Sequence, residues 1–361
     1  MSDNAGAPNL SSAGTGKEGL LQIRRLDTAN AARWDAFVTA CPDATFFHRA
    51  GWKGIIDDIF GHPAFFLYAE SDGRIRSVLP LVQVKSRLFG HSLVSLPFCS
   101  YGGVAAIDAE AAQVLEREAI EIAESLDVDH LEVRNLVQRH ADWPVQNLYS
   151  TFRKPIIQEL DESMRVIPVK RRNMVRKGMK LGLANTIETP LDVFFDLYAK
   201  NVHQHGTPAL PKRYFAKICE VFGRDCEILT VLDPQKRPVS TIMTFYFRDE
   251  AMAYYAGESP AARDLAANDY KYWALLMRAK ERGSRIFDFG RGKQGTGSYE
   301  FKKLWGFDPQ PLYYEYRLFR SREVPQNNPM NPKYRAMIAL WKRLPISVCN
   351  WLGPYLVRSL G

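Results

Sequence analysis

The sequence predicts an α+β fold made of two similar units in tandem, followed by a helical tail. Three observations carry that prediction. Strand-like and helix-like stretches recur in one order: strands 64–70 and 75–84, helix 109–126 and strand 130–134, then strands 226–232 and 238–247, helix 268–282 and strand 285–289. The spacing agrees as well, since Ser77 and Glu132 stand 55 positions apart and Ser240 and Asp288 stand 48 apart, which points to an internal duplication. The length of 361 residues suits about two domains of roughly 150 residues, and a 46% apolar, 24% charged composition can fill their cores. The units are expected at 20–150 and 151–322, after a Ser-, Gly-, Ala- and Asn-rich segment at 1–19 that reads as disordered. A basic amphipathic tail at 323–361 closes the chain.

Each element has a local reason. Residues 20–26 read as a first strand, and Trp34, Phe37 and Val38 share one face of a helix at 30–40. Trp52, Ile55, Ile56 and Ile59 do the same for a helix at 48–60. Ser71-Asp72-Gly73-Arg74 joins its flanking strands with an Asp-Gly hairpin signal, and the turn at 233–237 repeats that role in the second half. Early in the second unit, Arg172, Arg176 and Lys180 follow at intervals of four and line one helix face, with no acid from 163 to 187 to compensate them. Such a run is either a solvated face or a phosphate-binding surface. The segment 201–214 reads as a polar linker in which His203 and His205 face a substrate, without a third ligand to suggest a metal. In the tail, Pro345 and Pro354 are expected to break the apolar, Trp-bearing run into short helices, which either pack back on the first unit or rest on a lipid surface.

Composition excludes several classes. Five scattered cysteines with no C-x-x-C pair indicate neither a disulfide framework nor zinc. No apolar run reaches the roughly 18 residues of a membrane span, and the N-terminus lacks the order of a signal peptide, so a cytoplasmic location is expected. A net charge of +8 favours phosphate-bearing partners.

The most distinctive stretch runs from 284 to 319. A buried strand leads into a glycine-rich loop holding Arg291 and Lys293, then a short helix with Phe301, Lys302 and Lys303, then an aromatic strand at 312–319 that closes the unit. Gly290, Gly292 and Gly295 spell G-x-G-x-x-G, but only about eight residues follow before the next turn, too few for the crossover helix of a dinucleotide fold. A Walker A loop is excluded because no Ser or Thr follows Lys293. Asp288 alternates with Phe287 and Phe289, so it faces away from them, either to take a proton from an attacking ammonium or to fix Arg291 by a salt bridge.

The wording Phe287-Asp288-Phe289-Gly290-Arg291, Gly295-Thr296-Gly297, Phe301-Lys302, Trp305-Gly306 and Pro311-Leu312-Tyr313-Tyr314 resembles the C-terminal signature of FemAB-like proteins. These are peptidyl or acyl transferases built from two GNAT-type (acyl-CoA N-acyltransferase-like) domains. The stretch is most similar to the subgroup associated with exosortase and PEP-CTERM envelope systems. The resemblance implies a sheet that opens between a fourth strand, here 251–256, and a fifth, here 285–289, with the acyl donor in the opening. It implies that Lys302 meets the reacting end of the donor, where a fixed cation is expected to stabilise the oxyanion, with Phe301 expected to stack on a base or ribose and Arg291 and Lys293 to bind donor phosphate. Tyr255 on the fourth strand either donates to a substrate or packs.

A CoA-dependent member is expected to carry glycines after the fourth strand. This chain keeps Arg263 but has Ala266 and Asn268 instead, so Asn268 is read either as a donor contact or as a helix N-cap. The family's lysine after the first-unit tryptophan is replaced by Ile56. The resemblance thus implies an aminoacyl-tRNA donor, with acyl-CoA as the alternative, and no cofactor, metal or DNA. The acceptor is an amine of an envelope precursor such as a peptidoglycan, polysaccharide or polyprenyl-diphosphate-linked intermediate, reached at the inner face of the membrane. A non-catalytic scaffold docked through the tail is the reading from a different class.

Overall fold

Two sheets with one shared strand order carry the chain in a computed structural model that describes residues 20–86, 89–325 and 332–359. The lead-in expected at 1–19 lies outside them. The strands of the first half are β1 (Gln22–Arg25), β2 (Ala64–Ser71), β3 (Arg74–Ser86), β4 (Gly90–Ser95), β5 (Ala105–Ala106), β6 (His130–Asn135), β7 (Val145–Gln146), β8 (Tyr149–Thr151) and β9 (Arg153–Pro155). Those of the second half are β10 (Ala184–Thr186), β11 (Cys226–Leu232), β12 (Pro238–Phe247), β13 (Glu250–Glu258), β14 (Ile286–Asp288), β15 (Gly292–Lys293), β16 (Gln310–Pro311) and β17 (Tyr313–Leu318). The β2–β3 turn forms because Asp72 and Gly73 both take positive φ, 49° and 72°, the twist that suits a two-residue hairpin.

The duplication is visible in the register. In the first sheet β4 runs parallel to β6 with Val94 opposite Glu132, and Val82 of β3 pairs with Val94. In the second, β13 runs parallel to β14 with Met252 opposite Asp288, and Phe245 of β12 pairs with Met252. Glu132 therefore corresponds to Asp288, and counting back along β3 and β12 brings Ser77 onto Ser240.

The closing strand departs from expectation. Instead of completing the second unit, β17 lies in the first sheet, antiparallel to β6 from Tyr313↔Asn135 to Leu318↔His130. In exchange, β9 from the end of the first half completes the second sheet beside β14. The two crossing segments meet in a small sheet of their own, where β15 and β16 flank β8. Local pattern specifies that 312–319 is a strand. It carries no information about which of two equivalent sheet edges the strand will join.

The helices are α1 (Ala31–Ala40), α2 (Gly51–Phe60), α3 (Ala109–Ser125), α4 (Leu160–Arg165), α5 (Val169–Lys180), α6 (Leu191–His205), α7 (Lys212–Phe222), α8 (Ala267–Glu281), α9 (Gly297–Leu304), α10 (Pro332–Trp341) and α11 (Ile346–Arg358). Two of them correct the linker expected at 201–214: His203 and His205 occupy the last turn of α6, and Pro211 opens α7. Phe194, Leu197 and Tyr198 bury one face of α6, a helical spacing that was present in the sequence. Pro354 does not end a helix but sits inside α11. A single aromatic core bridges the halves, with Phe46 stacked on Phe245 at 4.5 Å and Trp52 against Phe222 at 5.2 Å.

Glu315 fixes the exchanged strand. Fully buried on β17, it accepts hydrogen bonds from Asn135 Nδ2 at 2.8 Å, Arg139 N at 2.7 Å and His140 Nδ1 at 2.8 Å. Burial alone would lower the His140 pKa, but its bonds to Glu116 and Glu315 outweigh that and raise it to about 9. Stability from the protonated imidazole is therefore complete below its ordinary value of 6.5 and lost as pH rises through about 9. Replacing Glu315 with Gln should cost about 2–3 kcal/mol, because a buried carboxylate that accepts from Asn135, from the Arg139 and His140 amides and from the His140 ring loses one of its two oxygens. Urea unfolding at several pH values should also show a shallower loss of stability between pH 6.5 and 9 than in the parent chain; an unchanged slope would separate Glu315 from this anchor.

Candidate functional site

The second sheet opens where β13 and β14 part. Their parallel pairing ends at Met252↔Asp288, while β13 continues to Glu258. Gly290 makes the departure: its φ is +71°, and a Cβ there would lie 2.5 Å from the Ala253 carbonyl oxygen. On the facing strand a bulge leaves Tyr254 as the extra residue, since Met243 pairs with Tyr255 and Thr244 with Ala253. Residues 254–256 are only half-buried, whereas 251–253 before them are buried.

Arg291 follows Gly290 at this opening and is an exposed residue overall, although its guanidinium is drawn into contact with the protein. Its Nη1 donates to Tyr314 Oη at 2.8 Å and its guanidinium lies 4.6 Å over the Tyr149 ring. Tyr314 in turn donates to the Ser100 carbonyl at 2.6 Å, and Ser100 Oγ donates to Tyr254 Oη at 3.2 Å. The relay thus joins the first unit, the exchanged strand and the second unit. Leu96 and Phe98, in the bend that delivers Ser100, hold φ of 48° and 69°, a strained setting for side-chain-bearing residues. Burial keeps the Tyr254 and Tyr255 hydroxyls protonated at neutral pH, and Tyr255 Oη shares a hydrogen bond with Tyr214 Oη at 2.9 Å. Lys293 is half-buried in β15, its pKa lowered by burial and by the charge of Arg291.

Two expectations change on contact with this geometry. Lys302 was expected to face a donor carbonyl, yet it is buried, with Nζ donating to the carbonyls of Gly290 and Arg291 at 2.8 Å each. A buried ammonium needs acceptors, and the glycine loop provides them. Burial also pulls the Lys302 pKa down to about 8. Asp288 makes no salt bridge to Arg291. Wholly buried, it accepts from Thr151 Oγ1 at 2.7 and 2.9 Å, from Gly290 N at 2.7 Å and from Tyr101 Oη at 3.3 Å. Both residues thus hold the loop that carries Arg291.

Phe301 is half-buried, its ring 5.6 Å from Tyr272 and 5.8 Å from the Arg171 guanidinium. Asn268 is not the N-cap; α8 starts after Ala266, whose φ is +55°, and Asn268 lies half-buried in its first turn. His203 serves the tail, with Nε2 hydrogen-bonded to the carbonyls of Trp341 and Leu344 at 3.2 and 3.1 Å, and His205 is exposed. On α5, Arg172 is half-buried and Arg176 exposed. Among the described residues Lys170, Arg176, Lys177 and Lys180 make no ion pair, whereas Arg171 turns inward to Asp269 at 3.4 Å.

Sequence reasoning missed Lys271. It is 2% exposed, its ammonium 5.0 Å from the Tyr272 ring, and burial lowers its pKa to about 8. Its placement between buried Ala267 and Leu275, each four positions away on α8, was the available signal. Also missed was a cavity of about 890 Å³ between the units, walled by His48, Tyr101, Arg134, Thr151, Arg153 and Glu250. Burial and the neighbouring Asp288 raise the Glu250 carboxyl to about 7 despite two hydrogen bonds from Arg153 at 3.0 and 2.7 Å. Among the described residues no cluster of three or more His, Cys, Asp or Glu could hold a metal ion.

If Asp288 and Lys302 are holders of the loop, then Asp288→Ala and Lys302→Met should each lower stability by about 2–4 kcal/mol by stranding buried polar groups. Denaturant unfolding checks this; parent-like midpoints for both variants would return these residues to direct chemistry.

The sequence profile of the acetyltransferase (GNAT) domain family matches residues 169–303. No curated protein matches the chain by sequence. Among solved structures, FemX aligns at a TM-score of 0.64 with 16% identity, over 88% of this chain and 100% of that one. The C-terminal domain of a protein described as a lysylphosphatidylglycerol synthetase from Agrobacterium fabrum aligns at 0.56 with 13% identity, over 87% and 95%. N-myristoyltransferase from Saccharomyces cerevisiae, with bound myristoyl-CoA, aligns at 0.50 with 11% identity, over 90% and 86%. At these identities the likenesses establish the fold, a tandem pair of GNAT-like units.

Proposed function

We propose that this chain is an acyltransferase of the FemAB-like type, allied to the exosortase-associated subgroup, which moves an aminoacyl group from tRNA to an amine of a cell-envelope precursor. The observation that carries the reading is the Arg291 guanidinium, oriented by Tyr314 and Tyr149 next to the point where β13 and β14 part. In the reaction the acceptor nitrogen bonds to the ester carbonyl carbon, the carbon–oxygen bond to the ribose breaks, and the amine proton ends on the leaving ribose oxygen. Negative charge develops first on the carbonyl oxygen and then on the leaving oxygen. A fixed cation and a neutral hydroxyl donor such as Tyr254 stabilise both without reorganising. Lys302 and Asp288 act through the loop as positioning residues.

The donor choice rests on two features of the second unit. The start of α8 carries the Cβ of Ala266 and the side chain of Asn268, which crowd the place where an acyl-CoA pyrophosphate would meet the helix N-terminus. The unpaired cations of α5 suit the phosphates of an acceptor stem. Phe301, half-buried beside Arg171, offers a ring edge to a terminal base. FemX is a structure of similar shape, and the protein described as a lysylphosphatidylglycerol synthetase is named for a lipid product that carries an amino acid, in keeping with an acceptor at the membrane.

The experiment supplies the purified chain with tRNA charged with labelled amino acids and an envelope-precursor extract, and in parallel with labelled acyl-CoA. Transfer from tRNA alone is expected. Arg291→Ala should reduce it by at least about 100-fold, the loss seen when one transition-state donor is removed, while the thermal midpoint stays near that of the parent. Saturable transfer from acyl-CoA in place of tRNA would favour an N-acyltransferase of amino sugars. Transfer from neither donor would leave the scaffold reading.

A further inference from the structure

The helical tail is firmly seated yet leaves an apolar stripe uncovered. Cys349, Gly353 and Val357, at intervals of four, form the buried face of α11. Gly353 is close enough that a Cβ there would lie 3.1 Å from the Ala209 carbonyl oxygen. His203 holds two carbonyls of the α10–α11 turn, and His62 Nε2 bonds the Arg358 carbonyl at 2.8 Å, so contacts from both halves of the chain fix the tail. The opposite face of α11 presents Val348, Trp351 and Tyr355, of which the last two are each 68% exposed with ring centroids 6.3 Å apart. Leu340 and Met337 of α10 are exposed as well, at 63% and 45%.

Charge identifies what can cover this face. No Asp or Glu occurs from residue 324 to 361, while Lys342, Arg343 and Arg358 are exposed and make no ion pair among the described residues. A second copy of the chain would bring the same uncompensated cations against them. A surface that combines apolar depth with negative charge meets both demands, and a bilayer containing anionic lipid is such a surface. Trp and Tyr favour the boundary between headgroups and acyl chains. The 13 residues of α11 are fewer than the roughly 20 needed to span, and no described helix is long and apolar enough to cross a membrane, so α11 would lie in the plane of the interface.

We propose that α10 and α11 dock the protein on the surface of an anionic bilayer, with Trp351 and Tyr355 as the inserted side chains and Lys342, Arg343 and Arg358 at the headgroups. This rests on the tail alone and holds whichever donor the cleft uses. The test is sedimentation of the full chain with vesicles of phosphatidylcholine alone and of phosphatidylcholine with about 30% phosphatidylglycerol, at low salt and near 0.5 M salt. Binding is expected to the anionic vesicles, weakened by salt, and reduced about tenfold or more by W351S/Y355S and by K342E/R343E, each with an unchanged thermal midpoint. The proposal is overturned if the chain stays in the supernatant with both vesicles. It is equally overturned if W351S/Y355S binds like the parent, or if the stripe proves to be a dimer contact, seen as self-association in sedimentation velocity that this variant abolishes.

Discussion

A single buried carboxylate sits at the crossing of two chain segments, and most of the architecture depends on that crossing. Asp288 ends β14, and its acceptors are filled by Thr151 from the segment leaving the first half, by Gly290 N from its own loop and by Tyr101 from the first unit. Around it the segments pass each other as β8, β15 and β16 before entering the opposite sheet as β9 and β17. Each sheet is therefore incomplete without a strand from the other half. The halves are duplicates in sequence order, but physically they form one body with a shared aromatic core.

The same crossing builds the candidate cleft. Tyr314 reaches Arg291 only because β17 lies in the first sheet, and Ser100 closes the relay from the first unit. The cation is consequently positioned by groups from three parts of the chain, whereas Lys302, the lysine of the conspicuous Phe-Lys pair, is bonded to the carbonyls of the loop beneath it. The division has a physical basis: the Arg291 guanidinium is held by a tyrosine hydroxyl and a ring face, while the Lys302 ammonium takes backbone carbonyls as its acceptors.

Much of this was legible in the chain. The matched order and spacing of the two halves reported the duplication, down to the alignment of Ser77 with Ser240 and Glu132 with Asp288 that the registers reproduce. The glycine-rich loop after the strand at 285–289 was legible, and so were the α5 cations as an uncompensated run. What was not legible depends on distant partners. Period-two alternation makes 312–319 a strand without choosing a sheet, and proximity in sequence suggested a salt bridge between Asp288 and Arg291 that the competing donors of Thr151 and Gly290 displaced. The histidines at 203 and 205, expected in a substrate-facing linker, instead close α6, whose helical spacing of Phe194, Leu197 and Tyr198 runs on until Gly206 ends it.

The claim that the two halves form one cooperative body through exchanged strands is tested most directly by native-state hydrogen exchange at increasing denaturant. The account predicts that amides of β17 open together with those of β6, and amides of β9 with those of β14, all at the free energy of global unfolding. Opening of residues 20–150 and 151–322 as two separate units, with β17 following the second, would contradict it.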